Sequence, residues 1–314
     1  MSKIIECVPN FSTSDPKILN QILDEIKKIP EIKILDFSSD VDHNRSVVTF
    51  TGNEKNILNG AYNAIKKASE IIDLNKHSGV HPFIGATDVV PFVPLRNSSM
   101  DECCQIAEKL GKKVGKNLKI PVYLFEYSAK RPERKNLSHI RNQGFLKLEN
   151  EIKTNEDLNP DFGPKKIGSA GGICIGARKI LIAFNINIST CHSYSTHCHS
   201  CENRNLNIFR IATNIAKKIR ESNGGLPCVK ALALKLKNQH KIQISMNLTD
   251  YTITSPKTVF DFIKKECSEN NLEILESELV GLIPEKALFP NAEKYLMLKT
   301  HPKSLFPDRS RGQA

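Results

Sequence analysis

The 314-residue sequence has no tryptophan, and aromatic residues make up only 6% of it. That leaves little stacking equipment for single-stranded nucleic acid. No apolar run reaches the ~18 residues that a membrane-spanning helix needs. The opening Met1-Ser2-Lys3-Ile4-Ile5-Glu6 puts an acid where an export signal would continue its apolar stretch. The closing Arg311-Gly312-Gln313-Ala314 matches no retention or lipidation signal. There is neither a G-x-x-x-x-G-K-S/T run nor a strand-to-helix G-x-G-x-x-G, so a phosphate-cradling nucleotide site is not indicated. The nine cysteines are an odd count at irregular spacings, which argues against a disulfide framework and for reduced thiols. A cytoplasmic protein without a membrane partner is therefore expected.

Charge is present in excess of one sign. Lys plus Arg is 45 against 34 for Asp plus Glu, a formal net charge of +11. The lysines fall in scattered pairs, such as Lys27-Lys28, Lys66-Lys67, Lys112-Lys113 and Lys217-Lys218, each inside a helix pattern whose wet face it marks. No nucleic-acid partner is expected. Hydrophobic content of 39% and charged content of 25% fit a soluble globular chain long enough for two cores.

Lys3 to Val8 reads as a strand closed by Pro9, and Ser14-Asp15-Pro16 as a helix start. Ile18, Leu19, Ile22, Leu23 and Ile26 mark one helix face. Strands follow at Lys33 to Phe37 and Val47 to Thr51, then a helix with Ile57, Leu58, Ala61, Tyr62, Ile65 and Ala68 inward, then a strand from Asp88 to Val93. This order of strand, helix, strand, strand, helix, strand is that of a split βαβ, ferredoxin-like unit. A helix with Ile106, Ala107, Leu110 and Val114 inward and a strand from Pro121 to Glu126 continue it. Arg131 to Arg141 suggests short helical turns, and Asn155 to Gly172 an ordered loop. An apolar strand from Lys179 to Asn187 opens the second half, which repeats the element order. The expected fold is α+β, with two ferredoxin-like subdomains, residues 1–177 and 178–300, whose sheets meet at a substrate cleft. Residues 301–314 are expected to fray.

The stretch from Asn75 to Asp88 holds His77, His81, Gly79, Gly85 and Pro82 between a helix pattern and a strand. A histidine fixed by a following proline suits proton transfer, because an imidazole titrates near neutrality. The bland reading is a structural turn with a solvated histidine. His77 ends the preceding helix pattern, so it is expected to cap that helix or sit in solvent. Asp42-His43-Asn44-Arg45 lies between two strands, where it is either a polar turn or a substrate contact. Gly163, Pro164, Lys165, Lys166, Ile167, Gly168, Ser169, Ala170, Gly171 and Gly172 form a loop packed between domains or one whose backbone approaches a ligand. Arg178 pairs with a substrate carboxylate or a neighbouring acid. Asn185 and Asn187 share one strand face and satisfy loop backbone or reach the cleft. Cys191 to Cys201 packs three thiols and three imidazoles into eleven residues. Its spacing is no established ligand pattern, so residues 190–204 are expected to form an exposed, metal-free loop.

The histidine stretch resembles the H-x-G-x-H-P-R-x-G-A-x-D-V-x-P-F segment of glutamate formiminotransferases. Glu6-Cys7-Val8-Pro9-Asn10-Phe11-Ser12, Asp42-His43-Asn44-Arg45, Pro121-Val122-Tyr123-Leu124, Pro160-Asp161-Phe162-Gly163-Pro164 and Gly176-Ala177-Arg178 follow the same family's order. So do Ile182 to Asn187, Asn247 to Tyr251 and Glu278 to Pro284. The resemblance runs from about residue 4 to 290. It implies transfer of a formimino group between N-formimino-L-glutamate and N5 of tetrahydrofolate, in histidine degradation and one-carbon metabolism. Tetrahydrofolate is the co-substrate, no metal is used, and a homodimer is expected. It implies His81 as the catalytic residue. It implies His43, Asn44, Arg45 and residues 163–172 as substrate contacts, and puts the folate on 163–172; Arg178, Asn185 and Asn187 stand beside them as substrate-contact candidates read from the residues. One position departs from the pattern: Phe83 stands where the family commonly has Arg. The alternative reading is a folate-binding or formyl-folate-related protein with altered or lost formiminotransferase activity.

Overall fold

The structure, a computed structural model, describes residues 3–79, 82–188, 199–236 and 241–305, with residues 199–205 described by their backbone alone. The chain divides into two compact units, Met1–Lys179 and Ile180–Ala314.

In the first unit the chain runs β1 (Ile4–Cys7), β2 (Asn10–Phe11), α1 (Pro16–Lys27), β3 (Lys33–Asp40), β4 (Arg45–Gly52), α2 (Glu54–Ile71), β5 (Thr87–Arg96), α3 (Met100–Asn117), β6 (Val122–Glu126), α4 (Ser138–Arg141), α5 (Gly144–Glu151) and β7 (Ile173–Ala177). Pro9 has no N–H to give, so β1 and β2 are one strand line broken at Val8-Pro9. That line pairs antiparallel with β4 on one side and β5 on the other. β3 extends the sheet antiparallel beyond β4, and β7 and then β6 extend it in parallel beyond β5. The strand order is thus β3, β4, β1/β2, β5, β7, β6.

Helix ends follow local chemistry. Asp15 accepts from the Lys17 amide at 2.8 Å and Pro16 occupies the first turn of α1. Asn53 caps α2 at 3.0 Å. Ser99 and Glu102 form a reciprocal capping box on α3. Ile22, Ile26, Ile57, Ile65, Ile106 and Leu110 are each buried, and each such side chain removed from water contributes about 1.5–3 kcal/mol.

The second unit runs β8 (Ile182–Ile188), α6 (His199–Ile219), β9 (Val229–Leu236), β10 (Lys241–Leu248), α7 (Pro256–Glu269) and β11 (Ile274–Val280). Its sheet is antiparallel throughout, in the order β11, β8, β10, β9. Phe184, Ile186, Ile244, Met246, Val259 and Phe260 belong to its separate core.

Two expectations need correcting. Between the expected loop ending at Gly172 and the expected strand from Lys179 no element was expected, yet Ile173–Ala177 is a strand fully buried between β5 and β6. A five-residue strand that follows two glycines and contains a third offers little periodicity to read. The expected loop through residue 204 is also too long, because α6 already begins at His199. The rest of the Cys/His-rich segment, and the tail from residue 306, lie outside the described residues.

A buried arginine fixes the approach to the 163–172 loop. Arg134 is 1% exposed. Its Nη1 donates to Asp161 Oδ2 at 2.9 Å, and its Nη2 to the carbonyls of Asp157, at 3.1 Å, and Asn159. The guanidinium also lies 5.1 Å from the Tyr123 ring centroid. Asp161 Oδ2 accepts in turn from the Leu124 amide at 2.7 Å, and Tyr123 Oη donates to the Leu158 carbonyl at 2.9 Å. Arg134→Ala strands the Asp161 carboxylate in the interior, and denaturant unfolding should record a loss of about 3–5 kcal/mol. Arg134→Lys should recover little, since one ammonium cannot span the same acceptors.

Candidate functional site

The turn between β3 and β4 places Asn44 at φ +45°, a left-handed position that asparagine tolerates. Its amide orientation is fixed by its neighbours. The Oδ1 accepts from the Ser14 amide at 2.9 Å, and the Nδ2 donates to the Ser78 carbonyl at 2.8 Å. The same Nδ2 lies 3.2 Å from His77 Nδ1, so that ring nitrogen must accept and the neutral ring carries its proton on Nε2. Burial lowers the His77 pKa, against the opposing pull of the Asp88 charge and a hydrogen bond with the Ser12 backbone. His77 therefore neither caps α2 nor stands in solvent. It is half-buried, and the Phe83 ring meets it edge-on at 4.3 Å. The expectation failed because a short helical turn, Leu74–Lys76, separates it from the end of α2 at Ile71.

His43 is 6% exposed, and its Nδ1 lies 2.9 Å from Asp40 Oδ1. Burial would raise the Asp40 carboxyl, but the side-chain and backbone hydrogen bonds from His43 and the nearby charge of Arg45 hold it below its usual range. Arg45 opens β4 directly opposite Asp40. Burial and the neighbouring Arg141 push its pKa down to about 10, while Asp88 and Asp40 oppose them.

Asp88, 2% exposed, joins these parts. Its Oδ1 accepts from the Ile84 amide at 2.8 Å, and its Oδ2 is ion-paired with Arg141 Nη2 at 2.8 Å. The same Nη2 donates to the Pro82 carbonyl at 3.1 Å. Val80 and His81 lie outside the described residues, but the chain on either side is held by Asn44 at Ser78 and by Arg141 at Pro82.

The 163–172 loop lies along this segment. The Ser169 carbonyl accepts from Leu74 N and the Ala170 carbonyl from Ala86 N, each at 2.9 Å, and Gly172 N donates to the Ile84 carbonyl at 2.8 Å. The two backbones come so close that a Cβ on Gly85 would lie 1.8 Å from the Gly172 carbonyl oxygen. A Cβ on Gly171, at φ +72°, would lie 2.1 Å from the Ile84 oxygen. Lys165, Lys166, Gly168 and Ser169 are exposed, while Ile167 is anchored in the core. An open concavity of about 360 Å³ flanks the loop's start, lined by Lys112, Lys116, Lys119, Phe162, Gly163 and Pro164 among others.

The structure thus brings together His43, Asn44, Arg45 and the segment on both sides of His81. Residues 168–172 run along that segment. Asp88 and Arg141 complete the group, and sequence reasoning assigned them no role. Asp88 stood inside the histidine stretch, but Arg141 is 53 positions further along and no spacing relates the two. Three further expected residues have partners of their own. Asn185 and Asn187 are on β8, where their amides donate to Glu278 and Glu276 at 2.9 and 3.0 Å. Arg178 is 9% exposed beyond the end of β7, donates to the Lys179 carbonyl at 2.9 Å and lies in the field of Glu6 and Glu126. Cys7 and Cys174 are fully buried thiols whose pKa values burial drives upward, which makes them poor nucleophiles.

The formiminotransferase domain's N-terminal subdomain matches residues 4–178, and its second part matches residues 183–308. The chain belongs to this family. It is 43% identical to the glutamate formimidoyltransferase of Thermoplasma acidophilum, over 94% of this chain and 93% of that one. It is 39% identical to the glutamate formimidoyltransferase of Streptococcus pyogenes serotype M1, over 95% of both. It is also 38% identical to the formimidoyltransferase-cyclodeaminase of Rattus norvegicus, over 94% of this chain but 53% of that protein.

Glu6 gives the first unit a pH dependence. Burial, opposed by the Arg178 charge, pushes its carboxyl from 4.5 up to about 7. A folded-state pKa raised above the unfolded one adds stability that is complete below pH 4.5 and lost as pH rises through about 7. A rise from 4.5 to about 7 corresponds to a loss of about 3 kcal/mol across that window. Glu6→Gln should flatten this part of the stability profile, measured by denaturant unfolding at pH 5 and at pH 8.

Proposed function

We propose that the chain is a glutamate formimidoyltransferase, moving the formimino group between N-formimino-L-glutamate and N5 of tetrahydrofolate. The observation that carries this reading is 43% and 39% identity, over nearly the full length of each, to two proteins of that name. Tetrahydrofolate serves as co-substrate, and the assignment implies a cytoplasmic enzyme of histidine and one-carbon metabolism, acting as a homodimer. No described helix is long and apolar enough to cross a membrane. Both units are read as ferredoxin-like. In each, the four strands of the βαββαβ run fall in the order second, third, first, fourth, which supports the reading.

In the forward direction the N5 lone pair attacks the amidinium carbon of formiminoglutamate. A C–N5 bond forms, and the C=N π pair moves onto nitrogen in a tetrahedral intermediate. N5 must then lose a proton, and the glutamate nitrogen must gain one as its bond to carbon breaks. His81 is assigned both transfers, and proton catalysis of this kind contributes ~10²–10⁴-fold. His77 suits the role less well, because Asn44 occupies its Nδ1 and the Ser12 backbone also bonds its ring. Its part is to hold the turn, with Phe83 packed on it in place of the family's arginine. Residues 163–172 take the folate, with the exposed Lys165 and Lys166 available to its glutamate carboxylates.

The test is turnover with formiminoglutamate and tetrahydrofolate. The wild-type protein should turn over, and His81→Ala should lower kcat by ~10²-fold or more while still binding tetrahydrofolate. His77→Ala should cost far less. Tetrahydrofolate binding without wild-type turnover would overturn the enzymatic assignment and leave a folate-binding protein.

A further inference from the structure

One face of the β11, β8, β10, β9 sheet carries a band of polar side chains. Asn187 stands opposite Gln243 and Glu276, and Asn185 opposite Ser245 and Glu278, and directly opposed residues share a face. Phe184, Ile186 and Ile244 lie on the other face, in the core. Glu276 is neutralised where it stands. Its Oε1 accepts from Asn187 Nδ2 at 3.0 Å and pairs with Lys241 Nζ at 2.7 Å.

Glu278, two residues on, has no such cation among the described residues. Its Oε1 accepts from two neutral amides, Asn185 Nδ2 at 2.9 Å and Gln243 Nε2 at 3.2 Å. Its Oε2 has no hydrogen-bond donor among the described residues, and the residue is half-buried. Gln243 supplies an independent observation. It is 1% exposed, and its Nε2 is shared between Glu278 and Asn187 Oδ1, the latter at 3.0 Å. Its buried Oε1 has no partner among the described residues. Buried acceptors are normally satisfied, and an orphan calls for a reason. A carboxylate steadied on one oxygen, beside an amide carbonyl lacking a donor, offers two acceptors to two N–H groups.

We infer that Glu278 and Gln243 recognise a planar pair of N–H donors on a substrate. This rests on the formimidoyltransferase reading, whose two substrates each carry such an edge. Formiminoglutamate has an amidine, protonated at neutral pH, and the pteridine of tetrahydrofolate has the N–H pair of its 2-amino-4-oxo ring. A carboxylate meets either edge with charge-assisted or paired hydrogen bonds.

The experiment separates the sources with two fragments, formamidine and 6-methyltetrahydropterin, titrated calorimetrically into wild type and Glu278→Gln. One fragment should bind the variant at least about tenfold more weakly. The KM of its parent substrate should rise by a similar factor while kcat changes less. Loss confined to formamidine assigns the formimino group, and loss confined to the pterin assigns the folate. Equal binding of both fragments to the two proteins overturns the inference, as does failure of wild type to bind either. Should Glu278→Gln not fold, Glu278→Asp, which withdraws the carboxylate but keeps its charge, makes the same comparison. Absence of wild-type turnover counts against the enzymatic reading alone, because the fragment titrations do not require turnover.

Discussion

Burying the Asp88 carboxylate at 2% exposure obliges the chain to surround it with donors, and those donors define the candidate site. One oxygen accepts from the Ile84 amide and the other is ion-paired with the Arg141 guanidinium. Arg141 in turn holds the Pro82 carbonyl, and the Asp88 charge reaches both Arg45 and His77. Segment 82–88 therefore cannot move without unpairing a buried charge, a change that typically costs about 3–5 kcal/mol.

A second constraint comes from backbone rather than charge. Gly85 and Gly171 let two chain segments approach to distances that a Cβ on either would forbid. The hydrogen bonds from Leu74, Ala86 and Gly172 then run directly between the segments. The loop's exposed tip, with Lys165 and Lys166, is thus attached at one end to the histidine segment. At its other end it enters through Asp161, which Arg134 holds. A ligand on this loop would be registered against segment 74–86 through main-chain contacts, which depend on the two glycines.

The sequence was most legible where periodicity was long. The inward stripes of α1, α2 and α3 and the strand, helix, strand, strand, helix, strand run of both units could be read from spacing alone, because a 3.6-residue period over 12 or 18 residues has few competitors. Ile173–Ala177 was missed because a strand buried on both faces has no alternation to show. The hairpin turn carrying His43, Asn44 and Arg45 was visible, but what Asn44 does there was not. Its amide bridges Ser14 and Ser78, residues 30 and 34 positions away. The same holds for Arg141, whose meaning lies wholly in a pairing across 53 residues of chain. Family resemblance supplied roles that spacing could not, and the geometry in turn showed what holds His77. With one ring nitrogen held by an amide and the other side of the ring bonded to main chain, His77 has little freedom to exchange a proton.

The two units use one strand order in different ways. In the first, the sheet grows past β5 by two parallel strands, and its chemistry-bearing residues gather in the loops at strand ends. Loops tolerate this because the buried strands beneath them fix their take-off points. In the second, the sheet stays at four strands, and the polar groups stand on its flat face, where register rather than loop conformation sets their spacing. Asn185, Asn187 and Gln243 are costly residues to bury, and three aliphatic side chains in their place would make a simpler packing surface. Their amides do more than satisfy one another. Those of Asn185 and Gln243 hold one oxygen of Glu278 in place, so its carboxylate meets a ligand without first being ordered. That arrangement reduces the entropy lost on binding, and a sheet that needed only a second core face would have no use for it.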